Sequence, residues 1–275
     1  MLWLPLLFLP PRSSAQAVFA DRHFERLATL GNVVDARFDK AYTETAALLA
    51  PADVIVSTWG MPAVDAEFLK HAPNLRAVFY AAGTVKGFAV PALWEHGITV
   101  SSAAPANAVP VAEYTIAVIL LSNKRFWTTM RHPRHEAPLP EGVPGNYRRT
   151  VGIIGASMVG REVLRLLQGY EMEVLLSDPF VDAAAARELG ARKVELPELM
   201  AESDVVSLHA PNLPSLKHMI NADLFSRMKY GATFINTARG ALVDEAALIK
   251  ELQSGRIWAV LDVTDPEPPV ANSHG

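Results

Sequence analysis

Short apolar, β-branched runs alternate with helix-spaced segments along nearly the whole chain, and this alternation limits the fold more than any other feature. The first set of runs is NVVD (32–35), DVIVST (53–58), AVFYA (77–81) and ITVSS (98–102), with candidate helices near 16–30, 43–50, 63–71 and 91–96. The second set is VGII (151–154), EVLLS (173–177), a short run near RKV (192–194), DVVSLH (204–209), ATFIN (232–236) and IWAVLD (257–262). Helices are expected near 158–169, 182–189, 197–202, 221–229 and 244–254. Strands separated by helices imply parallel sheets with helices on both faces. Right-handed crossovers then gather every strand's C-terminal end on one edge, where open α/β sheets bind ligands. The chain reads as α/β, with two doubly wound parallel-sheet domains over 1–104 and 105–275.

Local signals agree with that plan. Pro91 suits a first helical turn, where its missing N–H costs nothing, and Gly97 and Gly31 suit helix ends. Residues 107–124, NAVPVAEYTIAVILLSNK, read as a long apolar helix buried against an interdomain seam or a partner subunit. RHPRHEAPLPEGVPGN (131–146) reads as a loop or arm. The apolar N-terminus MLWLPLLFLPPRSSAQA reads as a buried first strand rather than a signal peptide, because no Lys or Arg precedes it and Pro5 interrupts it. No stretch is expected to approach the ~18–20 apolar residues of a membrane span.

Composition removes several function classes. Among 275 residues there is no cysteine, which excludes disulfides, thiolate metal sites and a Cys nucleophile. Net charge is −4 without a Lys/Arg block, which argues against nucleic acid. His132 and His135 have the spacing of metal ligands, but they fall in a Pro-rich loop without an evident third ligand, so no metal is expected.

VGIIGASMVGREVLRLL carries Gly155, Ser157 and Gly160 between a strand and a helix, the pattern of a dinucleotide-binding turn. Gly155 permits a tight exit from the strand, the second position lets backbone approach a pyrophosphate, and Gly160 lets helix and strand pack closely. Met158 and Val159 open the helix, whose unpaired N–H groups suit phosphate. Ser157 departs from the ideal glycine and is tolerable if its φ stays negative. Asp178, 23 residues after Gly155, ends the next strand, where a carboxylate takes both ribose hydroxyls and repels a 2′-phosphate. NAD is therefore expected over NADP.

Further motifs run in order along the chain: AAGTVKGF (81–88), NAVPVAEYTIAVILL (107–121), VGIIGASMVG, SDVVSLHAPNLPSLKHMIN (203–221) and INTARGALVDEAALIKELQSGRIWAVLDVTDPEP (235–268). Together they resemble the D-isomer-specific 2-hydroxyacid dehydrogenase family, which includes phosphoglycerate dehydrogenases and hydroxypyruvate/glyoxylate reductases. The resemblance implies two Rossmann/flavodoxin-like domains, NAD as cofactor, and hydride transfer between NADH and a small 2-oxo or 2-hydroxy acid. It implies that Ala82 and Gly83 offer backbone N–H groups to the substrate carboxylate. It implies that His209, Ala210, Pro211, Thr237, Ala238 and Asp262 line the cofactor, with Asp262 holding the nicotinamide amide. Arg239 would grip the substrate, and Glu267 would pair with an acid histidine.

For Arg239 the residue chemistry agrees independently, since a planar guanidinium matches a 2-oxo acid at two points, which Lys cannot do. Glu267 beside an imidazole would raise its pKa and keep its proton available near neutral pH. His274 does not sit in the family motif, so the chain is expected to stop short of the acid histidine and of the closing helix. Met158 stands where relatives often carry a basic residue, and Arg161 could substitute for it. His209 is read as packing or lining the cofactor, and Asp265 as a turn residue starting the Pro266 bend. The partners expected are the small acid substrate and a second copy through the 107–124 helix, in the cytoplasm, with neither nucleic acid nor membrane. The alternative is a catalytically inactive NAD-binding fragment or an NAD-sensing regulatory protein.

Overall fold

The computed structural model describes residues 4–131 and 145–267. His132, His135 and His274 lie outside the described residues. Contacts divide the chain into two units, Met1–Asn107 and Ala108–Gly275.

In the first unit, β1 (Leu4–Phe8), β2 (Gly31–Asp35), β3 (Val54–Ser57), β4 (Ala77–Tyr80) and β5 (Thr99–Ser102) form one parallel sheet in the order β2-β1-β3-β4-β5. The N-terminal apolar run is thus an interior strand, with Leu7 and Phe8 fully buried. Alternate residues feed two faces. Leu7, Ile55 and Val78 pack with Phe68 and Leu93, while Phe8 and Val56 pack with Ala15, Phe19 and Phe24. The covering helices are α1 (Arg12–Val18), α2 (Asp21–Ala28), α3 (Ala66–His71) and α4 (Pro91–Glu95).

Three local expectations are corrected here. The helix near 16–30 is two helices, because Phe19 and Ala20 are extended. The break lets the rings of Phe19 and Phe24 both reach Phe8 edge-on, at 4.9 and 4.6 Å. Gly31 opens β2 instead of closing a helix; α2 ends on Thr29, whose hydroxyl donates to the Arg26 carbonyl. The helix near 43–50 is a 3-10 helix, Tyr42–Leu48. Its Thr45 hydroxyl donates to the Tyr42 carbonyl, and Glu44 accepts the N–H groups of Asp39, Lys40 and Ala41, which tightens the segment. Gly97 does take a left-handed conformation, φ +67°, and Pro91 opens α4.

The helix expected at 107–124 is α5 (Ala104–Asn123), followed by α6 (Phe126–Arg131). With 20 residues and a mean hydropathy of 1.4, α5 is long and apolar enough to cross a membrane. That corrects the expectation that no stretch approaches this length. Ala112, Ile116, Val118 and Ile119 on its buried side pack into the core of the second unit, and 33% of its apolar window is buried.

The second unit carries β6 (Thr150–Ile154), β7 (Glu173–Ser177), β8 (Arg192–Lys193), β9 (Val205–Leu208), β10 (Thr233–Asn236) and β11 (Trp258–Leu261). They form a parallel sheet in the order β11-β10-β9-β6-β7-β8. Around it stand α7 (Met158–Leu167), α8 (Ala183–Glu188), α9 (Leu196–Glu202), α10 (Ala222–Arg227) and α11 (Glu245–Gln253). Val151, Ile153 and Ile235 face α5 and α7, while Ile154, Val206 and Phe234 face α9, α10 and α11. Gly152 admits α9 closely, because a Cβ there would lie 2.4 Å from the Leu199 side chain. These strand orders are the two doubly wound arrangements, flavodoxin-like in the first unit and Rossmann-like in the second. In the second sheet the order reverses at β6 and β9, so a crevice opens outside their C-terminal ends.

Candidate functional site

The chain leaves β6 through Gly155, at φ +92°. A Cβ there would sit 2.8 Å from the Ala210 nitrogen, so the turn presses on the backbone beyond β9 and admits only glycine. Gly160 is equally constrained, since its Cβ would meet the Gly155 carbonyl oxygen at 2.1 Å. Ser157 keeps φ −65° and caps α7, its hydroxyl accepting the Gly160 N–H at 3.3 Å. The side chain that departs from the ideal pattern therefore fits and serves as the N-cap. Among the described residues the N–H groups of Met158 and Val159 have no acceptor. Arg161 donates its Nε to the Ala156 carbonyl at 3.0 Å, which holds its guanidinium beside the turn. A bare glycine surface, two unpaired donors and a helix N-terminus suit a pyrophosphate.

Asp178 follows β7 and faces the same turn. One carboxylate oxygen accepts the Ala156 N–H at 2.7 Å and the other accepts the Phe180 N–H at 2.8 Å. The carboxylate therefore also shapes the glycine turn, a role that spacing did not reveal. Each oxygen keeps a lone pair for a ribose hydroxyl.

Beyond β9, His209 is 3% exposed. Its Nε2 lies 2.9 Å from the Ser207 hydroxyl and its Nδ1 lies 3.5 Å from the Thr237 hydroxyl. Burial pushes its pKa down to about 4, so the ring is neutral at physiological pH. A neutral ring fixed between two hydroxyls acts as a wall, with Ala210 and Pro211 continuing the same strand end.

The turn after β10 holds Thr237, Ala238 and Arg239. Asn236, 1% exposed, closes it from below: its amide donates to the Arg239 carbonyl at 3.0 Å, and its Oδ1 accepts the Ala238 N–H at 3.0 Å. Arg239 is exposed, bonds the Ala238 carbonyl through Nη1, and makes no ion pair among the described residues. Asp262 follows β11 and donates its N–H to the Asn236 carbonyl at 3.0 Å, extending the ladder by one residue. Gly240 then meets the Thr264–Asp265 peptide, since a Cβ there would lie 2.1 Å from the Thr264 carbonyl carbon. Glu245 Oε1 accepts the Asp265 N–H at 2.7 Å. Glu267 is exposed and makes neither hydrogen bond nor ion pair among the described residues.

The second unit thus collects Gly155–Gly160, Asp178, His209–Pro211, Thr237–Arg239 and Asp262–Glu267 beyond the C-terminal ends of five parallel strands. Ala82 and Gly83 belong to the first unit. They follow β4, Ala82 buried and Gly83 partly exposed, where the Thr58 hydroxyl donates to the Ala81 carbonyl at 3.1 Å. A concavity of about 500 Å³ lies at the opposite edge of the second sheet, by Arg149, Asp204, Lys229 and Trp258. There Asp204 pairs with Arg149 at 3.5 Å and Lys229 at 3.4 Å, away from the glycine turn. Among the described residues no three His, Asp or Glu side chains are grouped to hold a metal ion.

Residues 122–274 match the family described as "D-isomer specific 2-hydroxyacid dehydrogenase, NAD binding domain". The chain belongs to the D-isomer specific 2-hydroxyacid dehydrogenase family. It is 34% identical over 215 residues to D-3-phosphoglycerate dehydrogenase of Archaeoglobus fulgidus, covering 75% of this chain and 40% of that one. It is 36% identical over 220 residues to D-lactate dehydrogenase of Escherichia coli, covering 78% of this chain and 65% of that one. The apo structure of the Escherichia coli D-lactate dehydrogenase superposes with a TM-score of 0.75 at 27% identity, over 96% of this chain and 83% of that one. The chain therefore spans less than two thirds of the curated relatives' own lengths. In this dehydrogenase family the matched region is the NAD-binding domain, and NAD is the cofactor of the second unit. Asn236, Glu245 and Ser207 escaped the sequence reading. An amide or carboxylate that holds a neighbouring loop leaves no periodic signal, although Asn at a strand end before a turn is a weak one.

Proposed function

We propose that the whole protein transfers a hydride between NADH and a small 2-oxo acid, giving the D-2-hydroxy acid. The observation that carries this reading is the shared edge on which the glycine turn, Asp178, Arg239 and Asp262 stand. Met158 and Val159 offer N–H groups to the pyrophosphate, and Asp178 accepts from the adenosine ribose and disfavours a 2′-phosphate. His209, Ala210, Pro211, Thr237 and Ala238 wall the dinucleotide, and Asp262 accepts from the nicotinamide amide. Bound NADH supplies the hydride itself. Arg239 takes the substrate carboxylate and carbonyl at two points. Glu267 stands where it would pair with an acid histidine of the whole protein and raise its pKa. The protein works as a cytoplasmic homodimer through the α5 region, where Val109, Tyr114 and Leu121 are exposed apolar side chains.

Fluorescence titration with NADH and NADPH tests the cofactor half, with saturable NADH binding tighter than about 1 mM expected and NADPH weaker. Absence of saturable binding by well-folded protein would sink the reading. Oxidation of NADH by glyoxylate, hydroxypyruvate or pyruvate tests the chemistry. Binding without turnover on any of the three would favour an NAD-binding or NAD-sensing module instead.

A further inference from the structure

We infer that Glu245 is a positioning residue for the nicotinamide half of the site, setting where Asp262 stands relative to Arg239. The inference rests on the dehydrogenase reading above and adds a residue to it. Two features dock the segment after β11 onto the turn after β10. The first is steric: Gly240 brings its backbone against the Thr264–Asp265 peptide so closely that a Cβ would come within 2.1–2.5 Å of Thr264 C and O and of Asp265 N. The second is polar. The N–H of that same peptide, on Asp265, is taken by Glu245 Oε1 at 2.7 Å. A carboxylate acceptor makes this a charge-assisted bond, shorter and stronger than a neutral one.

Glu245 is placed to do this by its own helix. It is the first residue of α11, directly after Asp244, whose carboxylate caps the helix by accepting the Ala247 N–H at 3.1 Å. Capping therefore falls to Asp244 and leaves Glu245 to reach across. Asp262 is fixed at its other side by its N–H to the Asn236 carbonyl, 3.0 Å, and Asn236 also holds the Arg239 turn. The segment carrying Asp262 is thus tied at two points, to the Arg239 turn through Asn236 at Asp262 and to the first residue of α11 through Glu245 at Asp265. Removing the second tie frees the segment beyond Asp262 while leaving the glycine turn and Asp178 untouched.

The test compares NADH with ADP-ribose, which lacks the nicotinamide, on wild type, Glu245→Ala, Glu245→Gln and Gly240→Ala. NADH and ADP-ribose carry the same pyrophosphate charge and the NADH ring is neutral, so loss of a negative charge at Glu245 acts on both ligands alike. Glu245→Ala should weaken NADH about tenfold while ADP-ribose stays within about twofold. Glu245→Gln keeps an acceptor oxygen and should remain within about threefold of wild type for both ligands. Gly240→Ala displaces the same peptide sterically and should reproduce the NADH-selective loss. Amide exchange of Asp265 in ligand-free protein should be protected in wild type and Glu245→Gln and unprotected in Glu245→Ala. Unchanged NADH affinity in Glu245→Ala, or equal weakening of both ligands, overturns the inference, as does an unprotected Asp265 amide in wild type. A wild type that binds neither ligand sinks the dinucleotide reading instead, and the Asp265 amide then decides the tether alone.

Discussion

One methyl group at Gly160 tests the glycine turn most directly. Its carbon would lie 2.1 Å from the Gly155 carbonyl oxygen, a backbone atom that cannot swing aside. Gly160→Ala should push α7 away from the turn, lower stability by about 1–3 kcal/mol and weaken NADH by more than about tenfold. Urea unfolding and fluorescence titration check the two effects separately. His209 gives a pH prediction. Its folded pKa of about 4 lies below the ordinary 6.5, so between those values the unfolded chain takes up a proton that the folded chain refuses. Stability therefore falls as pH drops through this window, by up to roughly 3 kcal/mol. A His209→Gln variant should lose that part of the slope in urea midpoints measured from about pH 7 to about pH 4.5, whereas an unchanged slope would mean that the ring is not the titrating group. At this scale the sequence was legible where spacing carries meaning. Gly155, Gly160 and Asp178 stand out because a strand, a turn and a helix fix their separation. Asn236 and Glu245 do not, because their partners are backbone groups brought near only by folding.

Elements were legible for a related reason. Strands buried on both faces must be short, apolar and β-branched, and β6, β7, β9 and β10 show it in their letters. The breaks were not. Nothing in the letters of 16–30 says that Phe19 will leave the helix to meet Phe8, and a 3-10 helix at 42–48 depends on what Thr45 and Glu44 reach. The joint between α10 and α11 was equally hidden. Arg256 donates to the Phe225 and Met228 carbonyls at the end of α10, and its Nε pairs with Glu251 on α11 at 2.6 Å. One partly buried guanidinium thus satisfies helix-end carbonyls and joins two elements. Arg256→Ala should cost about 2 kcal/mol, read as a lower urea midpoint, with NADH affinity within about twofold. An unchanged midpoint would make the contact ornamental.

The molecule consists of two units, each with its own two-faced sheet and its own core clusters. Because every residue assigned to the dinucleotide lies in the second, NADH at about 100 times its Kd should stabilise that unit by roughly 2.7 kcal/mol. Hydrogen exchange across the chain checks this, with the gain expected at Gly155–Gly160, Asn236–Gly240 and Asp262–Asp265; gains limited to the first unit would contradict it. The two ends of the second sheet differ in a way that matters outside the site. β8 closes one side with Arg192 and Lys193, the former gripped by Glu173, Glu198 and Glu202. Among the described residues β11 stands at the other side with Trp258–Leu261, which carries no charge. A neutral, apolar border strand is a template on which a stray chain can zip, while a charged one repels it. Where Trp258–Leu261 is left as a border, as it is among the described residues, clumping at high concentration should begin there and spare the arginine side.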